Sequence, residues 1–329
     1  MAKITDYPKV TGLTRTNVLL LDGENGTKGI LAGDLAKALL SLMTTKEIMN
    51  NINISDLDAV SSVKGGDSLL VRTTAGNKKI SISDAVFAML DPVISVETRR
   101  NLWRGKKLGS AVTEAQYAQI RAGTFQGMFL GDYWEIGGRI WRIVDFDYWI
   151  GYGDTICRLH HLVIMPDRAL YNAAMNDTNV TTGAYVGSKM YTTNLTQAKT
   201  IVNGAFTAAH ILNHREYLQN AVTNGYASGG AWMDSTVELP NEIMMYGSYI
   251  FTPAGNGSVT PNRYTINNRQ LAGMKVSPNL INPHGESEWL RDVVSASHFA
   301  AINENGLAYY YNPTSRCWVR PVFGLKGQA

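Results

Sequence analysis

The sequence predicts an α+β protein built from two tandem N-terminal hairpin-helix modules, a short helical connector and a long, loop-rich C-terminal domain. Three observations carry this expectation. Residues 1–40 and 51–90 stack as two copies of one motif at an offset of fifty positions. Thr113 and Gln116 stand in the spacing of a capping box ahead of a short amphipathic stretch. From Trp134 onward apolar and polar residues alternate around Gly137 and Gly138, the pattern of a β-hairpin.

The duplication is dense. Ile4 aligns with Ile54, Asp6 with Asp56, Val10 with Val60, Leu19 and Leu20 with Leu69 and Leu70, Gly26 with Gly76, Lys28 with Lys78, Ile30 with Ile80, Asp34 with Asp84, Ala38 with Ala88 and Leu40 with Leu90. In each copy an apolar run (18–21, 69–71) leads through a glycine-containing turn into a second short strand (28–31, 78–82). Asp34, or Ser83 with Asp84, then stands where an N-cap oxygen takes the free N–H groups of a first helical turn, and Leu35, Ala38, Leu39 or Ala85, Ala88, Met89 follow at helical spacing. These are anchoring repeats 1 (residues 1–50) and 2 (51–92). Small duplicated modules ahead of a segment of different composition read as docking elements, since neither copy encloses a pocket alone. The glycines at 23 and 26 read as turn chemistry, because no Gly-Lys-Ser/Thr follows them.

The connector spans 93–130. Its basic residues at 97–107 read as a solvated helix or linker, and its helix opens at Thr113, runs through Ile120 and is closed by Gly123. The C-terminal domain spans 131–329, with a strand at 161–165, a helix from Asn194 past Ile201 to about His210, and a loop-rich stretch to about 286.

Composition excludes several classes. The net charge of +3 is spread over only 17% charged residues, with no Lys/Arg run long enough for a nucleic-acid footprint. No apolar stretch approaches a membrane span and the N-terminus lacks a signal-peptide pattern, so a soluble chain without membrane insertion is expected. Cys157 and Cys317 read as two ordinary thiols. Cys157 with His160 and His161 has no Cys-x-x-Cys partner, and the adjacent histidines would point to opposite faces of a strand. His210 and His214 lack the zinc-protease glutamate, as Ile211 stands there. No metal, cofactor or catalytic residue is expected.

The end of the chain carries a resemblance. Trp289-Leu-Arg-Asp-Val-Val294, Phe299, Asn303-Glu-Asn-Gly306, Tyr309-Tyr-Tyr311 and Val319-Arg-Pro-Val-Phe323 resemble the C-terminal pattern of bacteriophage fibre and receptor-binding proteins. Trp134-Glu-Ile-Gly-Gly138, Tyr185-Val-Gly-Ser-Lys-Met190, Asn213-His-Arg-Glu-Tyr217 and Gly229-Gly-Ala-Trp232 extend it, and Asp6-Tyr-Pro-Lys-Val-Thr11 is similar to the start of phage head-fibre proteins. The resemblance implies a C-type-lectin-like domain over 131–329, with residues 139–144 paired to 319–325. It implies a virion structural protein, a head fibre, that docks on the capsid or other virion proteins through its repeats, forms a homotrimer and presents a face for a host-surface glycan or protein. On that face His298, Asn303, Asn305, Tyr309, Tyr311 and Trp318 are the expected ligand-binding residues. The calcium-type Glu-Pro-Asn loop is matched only by Glu238 with Asn241 and Glu242, interrupted by Leu239, so calcium-dependent sugar binding is not expected. The alternative is a virion-associated glycan-degrading enzyme, which needs two carboxylates about 5 Å or 6.5 to 9.5 Å apart. The acids weighed for that role are Asp145 with Asp147, and Glu286 with Glu288.

Overall fold

The computed structural model describes residues 18–23, 26–31, 68–73, 76–218, 220–255 and 266–328. It is a mixed α and β protein with several sheets and few helices, and it divides into two compact units, Met1–Ser95 and Val96–Ala329.

In the first unit, β1 (Val18–Gly23) and β2 (Gly26–Leu31) form one hairpin, and β3 (Ser68–Thr73) and β4 (Gly76–Ser81) form another. The second pair repeats the first at the offset of fifty. The hairpins join edge to edge in the order β2-β1-β3-β4, with Val18 opposite Arg72, Leu19 opposite Val71 and Leu20 opposite Leu70. Since Leu20 and Leu70 are equivalent in the two copies, the junction is self-complementary about a local twofold. Helix α1 (Ile82–Leu90) follows β4 and buries Ala85, Met89 and Leu90. Its cap is Ser81 rather than the expected Ser83 or Asp84: Ser81 Oγ accepts from Asp84 N at 3.0 Å and donates to Asp84 Oδ2 at 2.9 Å. The hydroxyl at Ser81 reaches the third helical N–H, so the helix starts two to three residues earlier than the expected caps imply. The helix expected near residues 34–40 lies outside the described residues.

The second unit starts at Val96, so the segment expected to be a connector belongs to it. Its arginines are not solvated. Arg99 is buried and donates to Met128 O at 3.0 Å, Arg100 bonds Asp145 Oδ1 at 3.1 Å, and Arg104 forks onto Asp132 at 2.6 and 3.0 Å. Each guanidinium meets an acid or carbonyl supplied by a distant segment, which local charge patterning cannot reveal. Helix α2 (Val96–Arg99) and strand β5 (Lys107–Gly109) lead to α3 (Glu114–Arg121). The capping box is formed: Gln116 N donates to Thr113 Oγ1 at 3.2 Å and Thr113 N to Gln116 Oε1 at 2.9 Å. Gly123, at φ +68°, closes the helix.

Strands β6 (Tyr133–Ile136), β7 (Arg139–Phe146), β8 (His161–Pro166), β14 (Val237–Glu238) and β19 (Val322–Lys326) join β5 in a six-stranded sheet, in the order β14-β19-β8-β7-β6-β5. Gly137 and Gly138 both take positive φ at the β6–β7 turn, as a tight primed turn demands. The expected pairing of 139–144 with 319–325 is corrected: β8 lies between β7 and β19, because the wholly buried run His161–Pro166 needs a neighbour on each side. A five-stranded sheet has the order β17-β16-β15-β18-β9, from β9 (Tyr171–Ala174), β15 (Glu288–Ser295), β16 (His298–Ile302), β17 (Ala308–Tyr311) and β18 (Arg316–Val319).

One apolar cluster joins the two sheets to α3 and to α4 (Leu195–Phe206), centred on Trp134, Trp141, Trp289, Phe299 and Phe323. Helix α4 ends at Phe206, short of His210, where Thr207 turns to φ +63°. A second cluster covers the other sheet faces with Met244 and Met245 of α5 (Glu242–Tyr246) and Met274 of α6 (Ala272–Val276). Among the described residues no helix is long and apolar enough to cross a membrane. Both cysteines are free thiols.

Candidate binding cleft

The loop-rich stretch between the sheets contains a two-stranded ribbon, β10 (His214–Leu218) against β13 (Ala231–Ser235), with Tyr217 opposite Trp232. Alternation along β10 turns His214, Glu216 and Leu218 inward and leaves Arg215 and Tyr217 half-exposed. The ribbon walls a cleft of about 110 Å³. Aromatic rings from Tyr148, Trp149, Tyr152, Tyr217, Trp232 and Tyr249 line it, together with Asn241, Asn267, Asn268, Arg291 and Asp292.

Its floor is polar and ordered. Arg291, from the middle of β15, grips Glu216 in a two-pronged ion pair, Nη1 to Oε2 at 2.6 Å and Nη2 to Oε1 at 3.1 Å. Trp149 Nε1 and Ser235 Oγ donate to the same carboxylate at 2.9 and 3.2 Å. Burial alone would raise Glu216, but the Arg291 guanidinium, His214 and these donors outweigh it and hold the carboxyl at about 2. His214 itself is pushed down to about 4, chiefly by burial, so it is neutral at physiological pH.

Asp292 has one oxygen to spare. It is 5% exposed and lines the cleft. Its Oδ2 accepts from Glu242 N at 2.6 Å; among the described residues nothing bonds its Oδ1. Burial first, and the neighbouring Glu242 second, push it up to about 7. Glu242 is committed elsewhere: its two oxygens accept from the backbone N–H groups of Ile250, Phe251 and Thr252, all at 3.0 Å. That fixes the loop that carries Tyr249 on the cleft wall. Glu238, the acid nearest the calcium-type pattern, is buried, accepts from the Tyr185 hydroxyl at 2.8 Å and is pushed up to about 7, chiefly by burial.

The six residues expected on a binding face lie elsewhere in the second unit, and none lines the cleft. The turn at 303–306 is an exposed hairpin loop as expected, with Gly306 at φ +79°. Asn303 holds that turn, accepting from Asn305 N at 3.0 Å and Leu307 N at 2.9 Å, while Asn305 is exposed at its tip. Tyr309 and Tyr311 come together, with ring centroids 5.0 Å apart. Tyr309 is exposed, whereas Tyr311 is half-buried and bonds Ser287 Oγ at 3.2 Å. His298 Nδ1 bonds the hydroxyls of Ser295 and Ser297 at 3.0 and 3.1 Å, and its ring packs 5.1 Å from Tyr310, which stacks on Tyr309. Trp318 lies on β18, separated from β17 by two intervening strands. Of the single surface expected, His298, Tyr309 and Tyr311 are linked by ring contacts through Tyr310, while sheet order places Trp318 apart.

The acids weighed as catalytic pairs are also engaged. Asp145 sits between Arg100 and Arg269 at 3.1 and 3.3 Å, Asp147 bonds His160 at 2.8 Å, Glu286 pairs with Arg168 at 3.1 Å and the buried Glu288 with Arg320 at 2.6 Å. The histidines are structural: His161 accepts from Trp149 N at 3.1 Å and is pushed down to about 4 by burial, and His210 stacks on Tyr117 at 3.6 Å.

Sequence reasoning missed Glu216, Arg291, Asp292, Phe251 and Tyr310. The available signal was the pair Arg291 and Asp292 between Trp289-Leu290 and Val293-Val294, since charges amid such residues persist only with partners. No protein-family model, curated protein or solved structure matches the chain.

Proposed function

We propose that this chain is a bacteriophage virion structural protein, a head fibre or capsid decoration, that docks through its N-terminal repeats and displays its C-terminal unit for attachment to host-surface glycan. The observation that carries the reading is the aromatic-walled cleft on which Asp292 keeps one carboxyl oxygen unbonded among the described residues, in a unit separate from a duplicated, self-complementary sheet. A site of aromatic rings and a few fixed polar groups is the usual form of a small-ligand pocket. The resemblance of the C-terminal segment to phage fibre proteins supports the same reading, while the direct pairing of 139–144 with 319–325 that it implies is not formed, since β8 lies between them. We also propose a homotrimer, since the repeats are too small to cover their own apolar faces.

Two experiments test this reading. Virions are assembled with a chain lacking residues 1–92, and purified full-length protein is titrated onto host cells while its mass is read by light scattering. Truncated chain that still joins the particle overturns the docking role. Absence of cell binding overturns attachment, and a monomer at micromolar concentration overturns the trimer.

One observation favours glycan hydrolysis instead: a single cleft holds an ionised carboxylate, Glu216, and a carboxyl pushed up to about 7, Asp292. Binding is the better reading because both Glu216 oxygens are held by Arg291, Trp149 and Ser235 and are not free to attack. Release of reducing ends from host glycan would reverse that choice.

A further inference from the structure

We infer that the ligand is an uncharged glycan chain, with one sugar ring in the cleft and the next rings on an adjoining aromatic ridge formed by Phe251, Tyr310 and Tyr309. This rests on the glycan-binding reading above and specifies its ligand.

Size comes first. The cleft's volume of about 110 Å³ equals a few waters at ~30 Å³ of liquid each, so it takes no more than one sugar ring. A longer chain must continue outside it. The loop after α5 provides the continuation: Tyr249 lines the cleft, and Phe251 stands two residues on, within about 7 Å of extended chain. Phe251 packs edge-on to Tyr310 at 5.1 Å, and Tyr310 stacks with Tyr309 at 5.4 Å and 8°. The three rings are 37%, 37% and 43% exposed. Aromatic rings held in a row and left open offer flat faces to the C–H side of successive pyranoses. The ridge is rigid where it meets the cleft, because Glu242 fixes three consecutive N–H groups of the loop, so little ordering entropy opposes binding.

Charge then selects the class of glycan. Both guanidinium groups on the cleft wall are already neutralised. Arg291 is paired with Glu216, and Arg215 with Asp154 at 2.8 Å and Asp234 at 3.4 Å. Among the described residues the polar atoms left unbonded at the cleft include Asp292 Oδ1 and the buried Thr252 Oγ1, and neither offers a positive charge. Uronic or sialic acid units find no free cation there; neutral sugars need none.

Surface polysaccharide stripped from host cells, fragmented and separated by charge and by length, is titrated calorimetrically into full-length protein. The neutral fractions are expected to bind, and tetrasaccharides about tenfold tighter than monosaccharides, the gain expected from about 1.4 kcal/mol of added stacking. Phe251→Ala and Tyr310→Ala abolish that dependence on length, while Phe251→Tyr, which keeps the ring, preserves it. Asp292→Asn changes affinity for fractions of every length. Binding restricted to acidic fractions, affinity independent of length, or intact cells bound while no fraction is, overturns the inference and leaves attachment standing with a protein receptor or charged glycan. Failure to bind intact cells defeats the attachment reading itself.

Discussion

Replacing Asp292 by Asn stabilises the protein increasingly as pH rises from about 4 to 7 and leaves it nearly unchanged below pH 4. Asn keeps an amide oxygen for the Glu242 N–H, which Asp292 Oδ2 accepts at 2.6 Å, and removes a charge that burial and Glu242 disfavour. In the unfolded chain the carboxyl loses its proton near 3.8, whereas in the folded protein it holds it to about 7. Between those values the unfolded state alone ionises, so wild-type stability falls as pH rises. It is undiminished below pH 4 and the full loss is reached above about pH 8. Near 1.4 kcal/mol for each pH unit between the two values, the loss is on the order of 4 kcal/mol. Urea unfolding at half-unit steps from pH 4 to 9 measures it, and contributions from Glu238 and Glu288 cancel because both proteins carry them. The variant and the parent should coincide near pH 4 and diverge towards pH 8. Parallel curves would refute the argument, because Asp292 would then be ionised at the same pH in both states.

Other expectations follow from the same contacts. Arg291→Met leaves Glu216 buried without its partner and should cost about 3–5 kcal/mol at pH 7. Glu216 is depressed, so the pair's stabilisation is present above 4.5 and disappears as pH falls through about 2; the deficit of the variant in urea unfolding should shrink in acid. Gly324→Ala places a Cβ 2.7 Å from Leu212 Cβ in a packed core and should cost about 1–3 kcal/mol, read as a lower midpoint at unchanged slope. Ser81→Ala removes the α1 cap and should lower stability of the first unit by about 1 kcal/mol, measured by hydrogen exchange in 82–90.

What was legible in the sequence is local. Both N-terminal hairpins, the Thr113 capping box, the Gly137-Gly138 turn and the exposed 303–306 loop rest on neighbouring residues, and each stands where spacing placed it. Long-range facts were not legible. The inserted position of β8 between β7 and β19 depends on which buried strand needs two neighbours. The cleft draws Glu216, Glu242, Arg291 and Asp292 from segments more than twenty residues apart, so no motif spans it. The basic residues near 100 misled for the same reason: their partners, Met128 O, Asp132 and Asp145, arrive from segments well removed in the sequence.

The duplicated sheet permits one further argument. Antiparallel pairing of β1 with β3 sets Leu20 opposite Leu70, and these are the same position in the two repeats. The inner edge of either hairpin is therefore complementary to a copy of itself. Within the full chain that edge is satisfied internally, and β2 and β4 are left outermost in this sheet. Deleting residues 1–50 removes β1 and exposes β3, whose unpaired N–H and C=O groups form a ready template for another chain. The same register then forms between two molecules, with Leu70 opposite Leu70, and the contact within a chain becomes a twofold contact between chains. Light scattering on the full chain, on a chain starting at Asn51 and on one starting at Val96 should show the protomer count of the second to be double that of the first. The third, which has no hairpin, should lack that step. An unchanged count for the chain starting at Asn51 would mean that β1 and β3 are held together by the chain connecting them and not by complementarity of their edges.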